Sequence, residues 1–140
     1  MQNVMDQAAL ERFIAEEFRE VAGLLSVDEV TEQSVTLRLD PDDAHLRPGG
    51  TVSGPTMFLL ADVAIYLAIL AKIGPVALAV TTNAHIDFMR KPQAGVPLLG
   101  EASLLKLGRS LAVGQVMIRN PESDAILAHA SMTYSIPPTR

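Results

Sequence analysis

At 140 residues, 49% of them apolar and 19% charged, the chain has the length of one domain of roughly 100–150 residues and too little charge for a disordered one. Its formal net charge of −5 excludes an overall basic surface built for nucleic acid or anionic membrane. The lack of cysteine excludes disulfides, thiol nucleophiles and cysteine-held metals, and fits a reducing compartment.

Residues 6–22 predict an amphipathic helix. Leu10, Phe13, Ile14, Phe18 and Val21 recur at helical spacing, with Glu11, Arg12, Glu16, Glu17, Arg19 and Glu20 on the other side. Asp6 stands near its start, and Gly23 supplies a stop. This acidic beginning lacks the basic and apolar regions of a signal segment, so the expected location is cytoplasmic. From Ser34 to Asp40 the period becomes two, with Val35, Leu37 and Leu39 against Thr36 and Arg38. Residues 24–31 are the expected hairpin partner, and a polar loop covers Pro41 to Gly50.

Residues 55–73 are apolar nearly all round, which predicts a helix buried on most sides. Pro55 suits the first helical position, and Gly74-Pro75 ends the run. A membrane span needs about 20 apolar residues without a central carboxylate, and this stretch is shorter and holds Asp62.

Four strand-like stretches follow, roughly 77–89, 97–107, 110–119 and 125–136, with turns at Pro92 to Gly95, Gly108-Arg109 and Asn120 to Asp124. In the last, Ile126, Ala128, Ala130, Met132 and Tyr134 alternate with Leu127, His129, Ser131, Thr133 and Ser135 before Pro137-Pro138. Short turns favour antiparallel neighbours, and the sheet's apolar face needs the buried helix as its cover. The predicted class is α+β: one domain over 1–140, with a curved antiparallel sheet of five to six strands wrapped around one long central helix. The N-terminal helix occupies 1–23 and the core 24–136.

Asp62 is the residue that this pattern does not explain. Aspartate is a poor helix former, and an unpaired buried carboxylate is costly. Its neighbours one helical turn away, Phe58, Leu59, Ile65 and Tyr66, offer no cation. Either it faces solvent or a distant Arg or Lys, or it is a carboxylate in a half-apolar cleft, fit to act as general base or nucleophile.

Upstream, residues 47–55 read Arg-Pro-Gly-Gly-Thr-Val-Ser-Gly-Pro, a glycine-rich turn running into a helix N-terminus. Its structural reading is a helix-initiating turn. Its functional reading is a receptor for an anion or oxyanion, because first-turn N–H groups lack partners and lie at the positive end of the dipole. Pro55 has no N–H, which leaves Gly54 as the best donor. Eight residues of helix span about 12 Å, so Gly54 and Asp62 of one chain do not reach one scissile bond; a second chain closes the gap if the site is shared in a dimer.

His45, His85 and His129 show no metal spacing. Arg90, Lys91, Lys106 and Arg109 lie near strand ends and turns, as ordinary solvated surface or as a grip on phosphates.

Residues 50–64, Gly-Thr-Val-Ser-Gly-Pro-Thr-Met-Phe-Leu-Leu-Ala-Asp-Val-Ala, resemble the signature of hotdog-fold acyl-CoA thioesterases of the phenylacetate-degradation type. That signature is Asn-x-x-Gly-x-x-His-Gly-Gly followed by an apolar helix bearing Leu-Ala-Asp-x-Ala. Ile86-Asp-Phe-Met-Arg-Lys-Pro resembles the family's strand motif, and Leu107-Gly-Arg-Ser-Leu-Ala-Val its turn between the next two strands. The resemblance covers about residues 24–136. It implies a hotdog domain that hydrolyses acyl-CoA thioesters, with CoA as part of the substrate and no metal or other cofactor. It also implies edge-to-edge pairing into a homodimer or a homotetramer that is a dimer of dimers.

By position, Asp62 matches the carboxylate that activates water or attacks the thioester, Gly54 the glycine whose N–H polarises the carbonyl, and Thr81 a hydroxyl that positions water. The chain departs from the pattern at Ser53, where the family has His, and at Arg47, where it has Asn. Both are expected substrate contacts, as are Arg90, Lys91 and Arg109 for CoA phosphates. The departures also suit a second reading, a non-catalytic acyl or CoA-thioester binding module. By simple alternation Thr81 shares a face with Asn83, His85 and Asp87, opposite Val80, Ile86 and Phe88; it reaches the cleft if that face or a local bulge lies there.

Overall fold

The computed structural model describes residues 2–19, 22–41, 46–47, 51–75 and 79–138, with the side chains of 46, 47 and 51 outside the description. Helix α1 spans Gln7–Glu17. It is followed by β1 (Leu25–Val30) and β2 (Val35–Leu39), a short hairpin of β3 (Leu46–Arg47) and β4 (Thr51–Val52), and helix α2 (Gly54–Ile73). Strands β5 (Val80–Phe88), β6 (Leu98–Leu107), β7 (Leu111–Arg119) and β8 (Ala128–Ser135) complete the order.

Among the described residues six strands form one antiparallel sheet in the order β1-β2-β6-β7-β8-β5. Its inner face curves around α2 as the sequence pattern predicts, giving an α+β hotdog. The alternation of β8 carries over directly: Ala128, Ala130, Met132 and Tyr134 are buried and the residues between them half-buried. Close approach of α2 depends on two strand glycines. A Cβ on Gly114 would lie 2.5 Å from the Ile65 side chain, and one on Gly100 would lie 3.0 Å from Leu60.

Helix α2 has 20 residues, so its length and composition alone would permit a membrane span; 72% of its most apolar stretch is buried inside the fold instead. Ser53 caps its start, accepting from Thr56 N at 3.3 Å, with Pro55 in the first turn. Gly74 ends it at φ +91°, a conformation that favours glycine, and donates from N to Leu70 O at 2.8 Å.

Helix α1 is shorter than the predicted 6–22. Asp6 caps it as expected, accepting from Ala9 N at 2.9 Å, but Phe18 leaves helical geometry at φ −125°, ψ 54° and packs edge-on against Tyr66 with ring centroids 5.5 Å apart. The helix thus ends before Gly23; Val21 lies outside the described residues. Glu11, expected on the solvated face, accepts from Val27 N, while Gln7 Nε2 donates to Val27 O at 2.8 Å. Two α1 side chains thus satisfy the backbone of edge strand β1. Among the described residues the opposite edge, β5, has no such cover; Val80 (55% accessible) and Phe88 (52%) are exposed on it, as is Met89 (57%) just beyond it.

Candidate active site

Asp62 lies on the one stripe of α2 that its own sheet leaves open. Pro55 and Phe58 are exposed, and Leu59 and Asp62 half-buried, while every residue from Val63 to Ala71 is buried. The stripe is apolar apart from the carboxylate, so it is not a solvated polar face. It lies beside the bare edge of β5. A partly exposed apolar stripe beside a sheet edge is the kind of surface that partners cover.

Two side chains hold the carboxylate, both through the same oxygen. Thr81 Oγ1 donates to Asp62 Oδ1 at 2.6 Å, and the Tyr134 hydroxyl donates to Oδ1 at 2.7 Å and to the Asp62 carbonyl at 3.0 Å. Among the described residues no donor meets Oδ2, which is open to a cavity of about 280 Å³ lined by Phe18, Tyr66, Val80, Thr81 and Tyr134. A carboxylate anchored at one oxygen and open at the other is preorganised to accept a proton at the open one.

Thr81 reaches Asp62 through a bulge. Thr81 pairs with Tyr134 and Asn83 with the adjacent Thr133, leaving Thr82 as the extra residue. This reverses the parity, placing Thr81 on the face of Ala84, Ile86 and Phe88 and sending Asn83, His85 and Asp87 outward. The bulge was one of the two routes that the sequence allowed.

Sequence reasoning did not identify Tyr134 as a site residue. Its place in the β8 alternation reads as core, and it is 3% accessible. The available signal was its hydroxyl, because a buried phenol needs a hydrogen-bond partner. Its ring stacks on Tyr66 at 5.9 Å and 22°. Burial drives the Tyr134 phenol well above its ordinary range; the Thr81 hydroxyl opposes this and the Asp62 charge adds to it. Tyr134 therefore stays a neutral donor. In a reaction that uses Asp62 as its base, Tyr134→Phe should lower kcat between about tenfold and a hundredfold by loosening Asp62, with KM little changed; steady-state kinetics check this.

Burial, with a smaller contribution from Glu17, raises Tyr66 to about 12. The neutral phenol is favoured in the fold, so the stabilisation is whole below the unfolded value of about 10 and is lost as pH rises through about 12. In an alkaline titration of native protein, phenolate absorbance should lag that of unfolded chain between those values.

Gly54 opens a separate cleft of about 410 Å³ with Met57, Phe88, Arg90 and Lys91. The end of the Phe88 ring stands over it, 3.3 Å from where a Cβ would be. Arg90 and Lys91 are exposed at the rim, where Arg90 N donates to Leu127 O at 3.1 Å and fixes the turn after β5. Gly54 and Asp62 thus line different cavities of one chain.

Of the other predicted contacts, the Ser53 hydroxyl caps α2 and shares a 2.8 Å hydrogen bond with Thr56 Oγ1. Arg47 lies in β3, with its side chain outside the described residues. Arg109 is exposed in the β6–β7 turn and lines neither cleft. His45 lies outside the described residues, His85 contacts Asp87 at 3.1 Å and His129 contacts Gln115 at 3.1 Å. No group of three or more His, Asp or Glu among the described residues is arranged to hold a metal.

Residues 49–127 match the family model described as the thioesterase superfamily. A crystal structure of a proposed thioesterase from Silicibacter sp. TM1040 is 51% identical, covers 99% of this chain and 96% of its own, and superposes with a TM-score of 0.91. A proposed esterase of Deinococcus radiodurans is 30% identical over 111 residues, 79% of this chain and 73% of its own length. A mutant of the phenylacetic acid degradation protein PaaI of Thermus thermophilus shares the fold at 24% identity, over 85% of this chain and 99% of its own, with a TM-score of 0.74.

Proposed function

From the premise that this chain belongs to the thioesterase superfamily, we propose that it hydrolyses acyl-CoA thioesters at a site built by two subunits. Gly54 of one subunit faces Asp62 and Thr81 of the other. Thioester hydrolysis in general is what the family and the thioesterase relatives support. The observation that carries the finer reading is the Asp62 carboxylate, held at Oδ1 by Thr81 and Tyr134 and open at Oδ2.

The Thr81 proton is committed to Asp62, so Thr81 Oγ1 accepts from a water molecule rather than donating to it. Water held between Thr81 Oγ1 and Asp62 Oδ2 has a lone pair left for the thioester carbon. As the carbon–oxygen bond forms, Asp62 takes the proton and the carbonyl oxygen becomes an oxyanion at the Gly54 N–H. Collapse expels the CoA sulfur, which takes the proton back from Asp62 to give acid and free thiol. Arg90 and Lys91 at the rim of the Gly54 cleft suit the CoA phosphates, with Arg47 and Ser53 as further contacts. The partner is a second copy of the chain, because its β5 edge and α2 stripe would bring a second Gly54 opposite Asp62 and remove the bare edge.

Free-thiol release from short, medium, long-chain and aryl acyl-CoAs tests the reaction, and a chain without cysteine adds no background thiol. Release above the uncatalysed rate supports hydrolysis. No release, with CoA esters still bound, favours the non-catalytic binding module, a reading to which the capping role of Ser53 lends some weight.

A further inference from the structure

The cavity at Asp62 has a polar corner and an apolar wall. Asp62, Thr81 and the Tyr134 hydroxyl form the corner; Phe18, Val63, Tyr66 and Val80 form much of the wall. Phe18 comes from the end of α1, outside residues 49–127 that match the family model. Three rings run from the core to this wall, with Phe13 to Tyr66 at 5.9 Å, Phe13 to Phe18 at 6.4 Å and Phe18 to Tyr66 at 5.5 Å and 82°. Phe13 is buried and Phe18 half-buried, so the Phe18 ring is braced from behind and faces the cavity.

Resting on the proposed reaction, we infer that Phe18 is the stop of the acyl pocket and confines the enzyme to short, uncharged acyl groups. The reacting carbon must lie near Asp62 Oδ2, with the CoA arm leading away to the Gly54 cleft of the other subunit. The acyl group then points to the remaining side of the carboxylate, which is the apolar wall. A wall of rings accepts apolar surface readily and offers nothing to a charged terminus. Phe18 lines this cavity of about 280 Å³, and the Tyr66 and Phe13 rings packed against it brace it there.

The test compares wild type, Phe18→Ala and Phe18→Leu on two readouts. On butyryl- to palmitoyl-CoA, the kcat/KM ratio of decanoyl to butyryl should rise about tenfold or more in Phe18→Ala and less in Phe18→Leu. A ratio unchanged in both variants overturns the inference. The second readout needs no turnover. The chain has no tryptophan and only two tyrosines, Tyr66 and Tyr134, and both line this cavity. Neutral 2-alkanones of increasing length should change tyrosine emission with an optimum at short chains in wild type and at longer chains in Phe18→Ala. An optimum that does not move overturns the inference. A moving optimum without hydrolysis of any acyl-CoA by wild type removes the reaction and leaves the pocket as described.

Discussion

Asp62→Asn should lower turnover of the best acyl-CoA between about a hundredfold and ten-thousandfold, the range a positioned general base supplies. The substitution is close to isosteric, and the amide oxygen can still accept from Thr81 Oγ1 and the Tyr134 hydroxyl as Oδ1 does now at 2.6 and 2.7 Å. What it cannot do is take a proton from water at the second position. Oligomer mass by light scattering and melting temperature should therefore stay close to wild type while free-thiol release collapses. Unchanged turnover would remove Asp62 from the mechanism and return it to a structural carboxylate on an open helix stripe.

Gly54→Pro should lower kcat about a hundredfold to a thousandfold, as loss of one oxyanion donor does. Proline removes the N–H. Because residue 54 itself precedes Pro55, where a Cβ is disfavoured in helical geometry, melting temperature is read beside kcat for this variant and for Gly54→Ala. Gly54 opens α2, where proline is accepted, and the preceding Ser53 already has the extended φ −71°, ψ 153° that a residue before proline requires. The added Cβ meets only the end of the Phe88 ring at 3.3 Å, and Phe88 is 52% accessible, so the ring has room to give. Gly54→Ala separates bulk from chemistry, since it adds the same Cβ and keeps the donor. If Pro and Ala reduce kcat equally, the Gly54 N–H is not the oxyanion donor.

Much of the fold was legible because burial imposes a period. Strand β8 alternates in sequence and in burial alike, and an apolar helix with no polar face had to be wrapped by a sheet. Asp62 was legible because it violates that pattern. The unforeseen features depend on pairings distant in sequence. The bulge at Thr82 is set by registry with Thr133 and Tyr134, some fifty residues away by the numbering, and nothing local marks it. Tyr134 sits where alternation demands core, so its hydroxyl contact with Asp62 is hidden behind a ring that the core would accept anyway. Phe18 and Glu11 look like ordinary members of an amphipathic helix; the contacts of Phe18 with Tyr66 and of Glu11 with Val27 exist only once α1 docks. Strand β3 lies in Pro41 to Gly50, which reads as polar loop, and its partner β4 in the 47–55 segment that reads as a glycine-rich turn.

Gly54 and Asp62 line different cavities of one chain and stand about 12 Å apart along α2, so the proposed site joins them across subunits. The most direct measurement of that sharing is complementation between the two inactive variants, Asp62→Asn and Gly54→Pro, unfolded together in equal amounts and refolded. A mixed dimer has one site made from the intact Gly54 of one chain and the intact Asp62 of the other, and a second site with both lost. Random pairing makes about half of the dimers mixed, so thiol release should recover to about a quarter of the wild-type rate. Verified mixed dimers that stay as inactive as the parent variants would contradict the shared site and put both residues to work within one chain.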